Sequence, residues 1–177
     1  MVTRIHRTGN FRLGGIPLLV RKIEKAKWMQ NDILNGEEVS ADAITNCTRT
    51  IKNTLSLWFI QDESNLDDAV LALVSQAQHL ESIDIVMLDE SSLKANGLYI
   101  ENSQSDLPVK RLNGSHYDVV ELNYSTLGIF ANFIVNAFRL EKVKRYTRGT
   151  IKKILKNSIG AGELQKEKLN DSIRSKV

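Results

Sequence analysis

Three residues in the second half of the chain have the types and spacing to do chemistry together: Arg111, His116 and Asp118. His116 and Asp118 stand two apart in the alternating run His116 to Leu122, which predicts a strand, so both side chains project from one face. Arg111 precedes Asn113-Gly114-Ser115, a tight-turn signal because Asn-Gly accepts positive φ. With Leu107 to Leu112 as the partner strand, that turn would return the guanidinium to the imidazole and the carboxylate. Such a group could move a proton near neutral pH and hold a phosphate, the equipment of a small phosphate-directed hydrolase or transferase. A solvent-facing polar hairpin has the same composition, and spacing alone seldom makes a site.

A second group is defined by charge. Arg139 to Asn157 contains eight Lys/Arg and one acid. Arg139, Lys142, Arg145, Arg148, Lys152, Lys153 and Lys156 are its candidate binding residues. Leu140, Val143, Thr147, Ile151 and Ile154 recur at helical spacing through it, which predicts an amphipathic helix with a broad cationic side. The preceding Ser125 to Phe138 is apolar on most faces and predicts a buried helix. Its polar seam is Ser125, Gly128, Asn132, Asn136 and Arg139. Joined, the two read as one rod rooted in the core and emerging as a basic extension, stopped at Gly160-Ala161-Gly162.

Other patterns are weaker. Asp62, Glu63, Asp89 and Glu90 follow predicted strands, where carboxylates can bind metal, but they lack ligand spacing. Gly14-Gly15-Ile16-Pro17 leads into a predicted helix without the lysine and hydroxyl of a phosphate loop. His6 and His79 have no pattern around them. The lone Cys47 excludes an internal disulfide and reads as a small buried side chain in a reducing compartment. No cofactor and no metal is implied.

Positioning these residues requires a core. Pro17 and the spacing of Leu19, Ile23, Ala26 and Ile33 predict a first helix, with Arg21, Lys22 and Lys25 turned away and Asn35-Gly36 as its stop. A short helix begins at Ser40. From Ile51 the period becomes two: Leu55, Leu57 and Phe59 on one face, Ser56, Trp58 and Ile60 on the other. A helix follows over Leu66 to Leu80, then strands at Ile83 to Leu88 and Leu98 to Glu101. The fold class is α+β. It comprises a small mixed sheet of about four to five strands, with one βαβ unit and a β-hairpin, packed with helices. The expected division is a core over 1–147, including a basic arm over 1–15, and a helical extension over 148–177.

The net charge of +3 conceals a split. Residues 1–27 carry +6, residues 28–138 carry −11, and residues 139–177 carry +8. No secretory signal pattern is present, and the longest apolar run falls short of the ~20 residues of a membrane span. These features point to the cytoplasm, with no membrane partner. They favour a non-enzymatic accessory or adaptor protein whose basic helix docks on a protein partner, or on its own copy. The alternative is nucleic acid bound by that helix and the N-terminal arm; the second alternative is the Arg111–His116–Asp118 hydrolase or transferase.

Overall fold

The computed structural model describes residues 16–48 and 50–177, so the arm carrying Arg4, His6, Arg7 and Arg12 lies outside the described residues. The chain is α+β. Its strands are β1 (Leu18–Ile23), β2 (Leu55–Ile60), β3 (Ile83–Asp89), β4 (Tyr99–Asn102), β5 (His116–Val120) and β6 (Val143–Tyr146). They form one six-stranded sheet in the order β4-β5-β2-β1-β3-β6, and every neighbouring pair is antiparallel. The helices are α1 (Lys25–Trp28), α2 (Ala41–Cys47), α3 (Leu66–Ser75), α4 (Glu90–Ala95), α5 (Tyr124–Arg139), α6 (Arg148–Gly160) and α7 (Asp171–Arg174).

Both faces of the sheet are covered. Leu19, Leu55, Leu57, Val86 and Val119 pack with Phe130, Ile134 and Phe138 of α5. On the other face Val20, Trp58, Ile85 and Met87 pack with α3 and with Ile151, Ile154 and Leu155 of α6. The alternation along β2 is therefore real: Leu55, Leu57 and Phe59 face one core and Trp58 and Ile60 the other, with Ser56 exposed. The run β2, α3, β3 follows the expected strand, helix, strand order. Strand β1 lies between the two strands, so they are parallel to one another at one strand's remove.

Three local expectations are corrected. Leu18 to Ile23 is a strand rather than a helix. It sits centrally between β2 and β3, where a run such as Leu18-Leu19-Val20 is buried on both faces and its spacing cannot distinguish the two states. Lys110–Ser115 is a 3-10 helix, so no hairpin forms around Asn113-Gly114. There Asn113 Oδ1 accepts from Leu107 N at 2.9 Å, and β5 pairs instead with β4 and β2. Nor is the stretch from Ser125 to Asn157 one continuous rod.

Helix α5 stops at Arg139. Lys142 N donates to Ala137 O at 2.8 Å and Glu141 N to Phe138 O at 3.2 Å, the bond pair of a Schellman motif. Glu141 takes the left-handed position that motif requires, at φ 56°. The chain reverses, enters the sheet as β6 beside β3, and starts again as α6 across the opposite face. The basic stretch is thus a helix end, a strand and a second helix. Residues 148–177, expected as an extension, supply Ile151, Ile154, Leu155, Leu164, Leu169 and Ile173 to the same buried cluster as α3.

This packing is open to two tests. A chain ending at Thr147 uncovers α3 and the α6 face of the sheet, and each large apolar side chain so lost removes about 1.5–3 kcal/mol; circular dichroism melting should show no cooperative transition, and a native-like melt would contradict the arrangement. Glu141→Gly should raise stability by about 0.5–1 kcal/mol, because relief of left-handed strain exceeds the freedom glycine adds to the unfolded chain. A lower melting temperature for that variant would mean the turn is not strained.

Candidate functional site

The register of β5 places His116 opposite Trp58 and Asp118 opposite Ser56, so the two do share a face of the sheet. His116 Nδ1 lies 2.7 Å from Ser103 Oγ, and its ring is tilted against Trp58 at 4.8 Å between centroids. Asp118 has Glu101 as its neighbour on β4. Arg111 is not with them. Its Nη2 donates to Asp68 at 2.7 Å and its Nε lies 3.0 Å from Glu163. The hydrogen bond to Asp68, with that to Glu163 behind it, holds the guanidinium above its ordinary pKa. Arg111 therefore ties the 3-10 segment to α3 and to the turn after α6. The phosphate-holding member of the group is committed elsewhere.

The basic segment divides in two. Arg139 Nη2 donates to Ile33 O at 3.3 Å. Lys142 and Lys144 both bond Glu63, the latter at 3.0 Å. Those two hydrogen bonds, Lys142 first, hold the Glu63 carboxyl below the usual carboxylate range. Arg145 Nη1 reaches both oxygens of Asp84, a residue 8% exposed, at 3.3 Å. These cations belong to the body of the protein.

Arg148, Lys152, Lys153 and Lys156 behave differently. Among the described residues none has a carboxylate within the 4.0 Å of an ion pair. Spacing of four puts Arg148, Lys152 and Lys156 in one stripe, with Lys153 beside it, opposite the buried Ile151, Ile154 and Leu155. Helix α6 contains no acid. Arg148 also occupies its first turn, where the helix dipole disfavours a cation by about 0.3–1 kcal/mol.

A further site is hidden from sequence patterns. Strand β1 pairs with β3 along its whole length but with β2 only over Leu18, Leu19 and Val20. Beyond Val20 the strands fork, and Arg21 turns into the opening. Its Nε donates to Cys47 O at 2.9 Å and its Nη1 to Ser56 O at 2.7 Å. The fork opens into a cleft of about 640 Å³, whose lining includes Arg21, Lys22, Asn46, Ser56, Trp58 and Asp84. Burial lowers the Arg21 pKa from its ordinary value, opposed by the nearby Cys47 and Asp118. Helical periodicity puts Arg21 on the outer side of a helix, so only the strand assignment reveals it.

Among the described residues no group of three or more His, Cys, Asp or Glu is placed to hold a metal ion, and no helix is long and apolar enough to cross a membrane. The chain matches no family model, no curated protein and no solved structure.

The Lys142–Glu63–Lys144 cluster gives stability a pH dependence of definite sign. A carboxyl whose folded pKa is depressed contributes stability above its unfolded pKa and loses it as pH falls through the folded value. Glu63→Gln should therefore cost up to about 1 kcal/mol at neutral pH, the ceiling for exposed pairs. Denaturant titrations of both proteins should converge once Glu63 is protonated. A difference that persists undiminished at low pH would assign the effect to something other than this charge.

Proposed function

We propose that this is a non-enzymatic accessory protein of the cytoplasm that binds a nucleic-acid backbone through the outer face of α6. One observation carries the reading: Arg148, Lys153 and Lys156 are exposed and Lys152 is half-buried on the outer side of a helix without acids, and among the described residues no carboxylate pairs with any of them. Regularly spaced, unpaired cations suit a polyanion, whose condensed counterions they would displace. The helix presents no aromatic side chain to solvent, so neither base stacking nor a preferred sequence is expected.

Docking on a protein partner, or on a second copy, calls for an apolar stripe to accompany the charge. The stripe of α6 is spent on the chain's own core through Ile151, Ile154 and Leu155. That consideration favours the polyanion over the protein groove. A hydrolase or transferase reading would need Arg111 released from Asp68 and Glu163, which hold it at 2.7 and 3.0 Å.

Mobility-shift titrations of duplex and single-stranded DNA and RNA test the proposal. Binding should weaken with salt along a log–log slope of roughly −3 to −4 on duplex, the value for about four displaced counterions. Lys152→Glu, Lys153→Glu and Lys156→Glu combined should abolish the shift while preserving a cooperative thermal melt, since none of the three belongs to the buried core. Retention of binding by that folded variant, or no shift of any nucleic acid at low salt, would overturn the proposal.

A further inference from the structure

Among the described residues, Arg21 is a cation whose setting is explained neither by the α6 surface nor by the ion pairs of the body. A guanidinium has five N–H donors. Two serve the carbonyls of Cys47 and Ser56, which leaves three, including both on Nη2. Those two carbonyls fix the side chain at the mouth of the fork. Among the described residues, no carboxylate comes within 4.0 Å of it.

The other charges around the cleft are matched. Glu81 accepts from Lys22 at 2.8 Å, Asp84 is met by Arg145 at 3.3 Å, and Glu24 has Lys27 at 3.5 Å. Ser82, also in the lining, accepts from the backbone N–H of Arg148 at 3.2 Å, so the first turn of α6 begins against the same wall. Arg21 is left as an anchored, partly desolvated fork of donors with no carboxylate in contact among the described residues, Asp118 acting on it only from beyond ion-pair distance. Trp58 forms an apolar wall of the same cleft.

We infer that the fork between β1 and β2 is a binding site for a small molecule bearing an oxyanion, with the Arg21 guanidinium gripping that group and Trp58 beside the remainder. The recognised chemistry is a pair of oxygens accepting parallel N–H donors, which a carboxylate and a phosphate both offer. The site is separate from the outer face of α6 and does not depend on nucleic-acid binding.

Titration of the full chain with inorganic phosphate and, separately, acetate, followed by ¹⁵N-resolved NMR, tests the site. The Arg21 Nε–H and Trp58 indole signals should move together and saturate with a dissociation constant on the order of 1 mM, as expected for one anchored oxyanion. The tighter of the two anions identifies the class. Arg21→Lys keeps the charge but loses the fork, and should weaken binding about tenfold or more. The triple glutamate variant of α6 should leave these shifts in place, which separates this site from the proposed nucleic-acid surface. If neither anion moves the wild-type Arg21 and Trp58 signals, the inference is overturned whether or not Arg21→Lys folds; if Arg21→Lys folds and binds as tightly as wild type, it is likewise overturned.

Discussion

The backbone reversal at Leu140-Glu141-Lys142 is the constraint on which the C-terminal third depends. Without it α5 would run on past Arg139 and carry the cations away from the body. With Glu141 left-handed, the carbonyls of Ala137 and Phe138 are satisfied inside the turn and Val143 arrives at the free edge of β3. From there α6 crosses the sheet face opposite the one that α5 covers. One residue at φ 56° thus converts a projecting rod into the second cover of the sheet.

This geometry also resolves the segregation of charge. The basic end does return to the acidic middle, but only as far as Arg145. Ion pairs are not what draws it back, since exposed pairs contribute at most about 1 kcal/mol each. Burial of Ile151 and Leu155, both fully enclosed, outweighs them at about 1.5–3 kcal/mol apiece. The apolar stripe sets the orientation of α6, and the orientation then decides which cations meet a carboxylate. Lys142, in the turn, and Lys144, on β6, meet Glu63 before α6 begins, whereas the outer side of the helix itself meets no carboxylate among the described residues.

The same physics explains what is legible in the sequence. Gly160-Ala161-Gly162 reads as a stop, and α6 ends there in the same bonding pattern that closes α5, with Gly162 left-handed at φ 74°. At the end of α5 the equivalent position is Glu141, and without a glycine the signal vanishes. Ser40 reads as a helix start and does accept from Ala43 N at 3.2 Å. The two faces of β2 and the shared face of His116 and Asp118 are legible because period-two alternation is local. Strand β1 is not, since its identity rests on having β2 on one side and β3 on the other. Nor is the dispersal of the Arg111 group, which turns on Asp68 and Glu163, partners 43 and 52 residues away.

Arg21 shows why such sites escape pattern reading. A forked strand pair leaves carbonyls that must still be bonded, and Ser56 O is one of them. An aliphatic side chain at position 21 would leave that acceptor to solvent, while a lysine would offer a point charge in place of a planar fork. The guanidinium thus has a role in the sheet itself, bridging the carbonyls of Cys47 and Ser56, before any ligand is considered. Yet the solution over-supplies donors, because the group that bridges two carbonyls brings three more N–H bonds into the cleft. A residue that makes two structural bonds thereby creates recognition capacity, and the fork that it bridges also provides the space in which that capacity can be used.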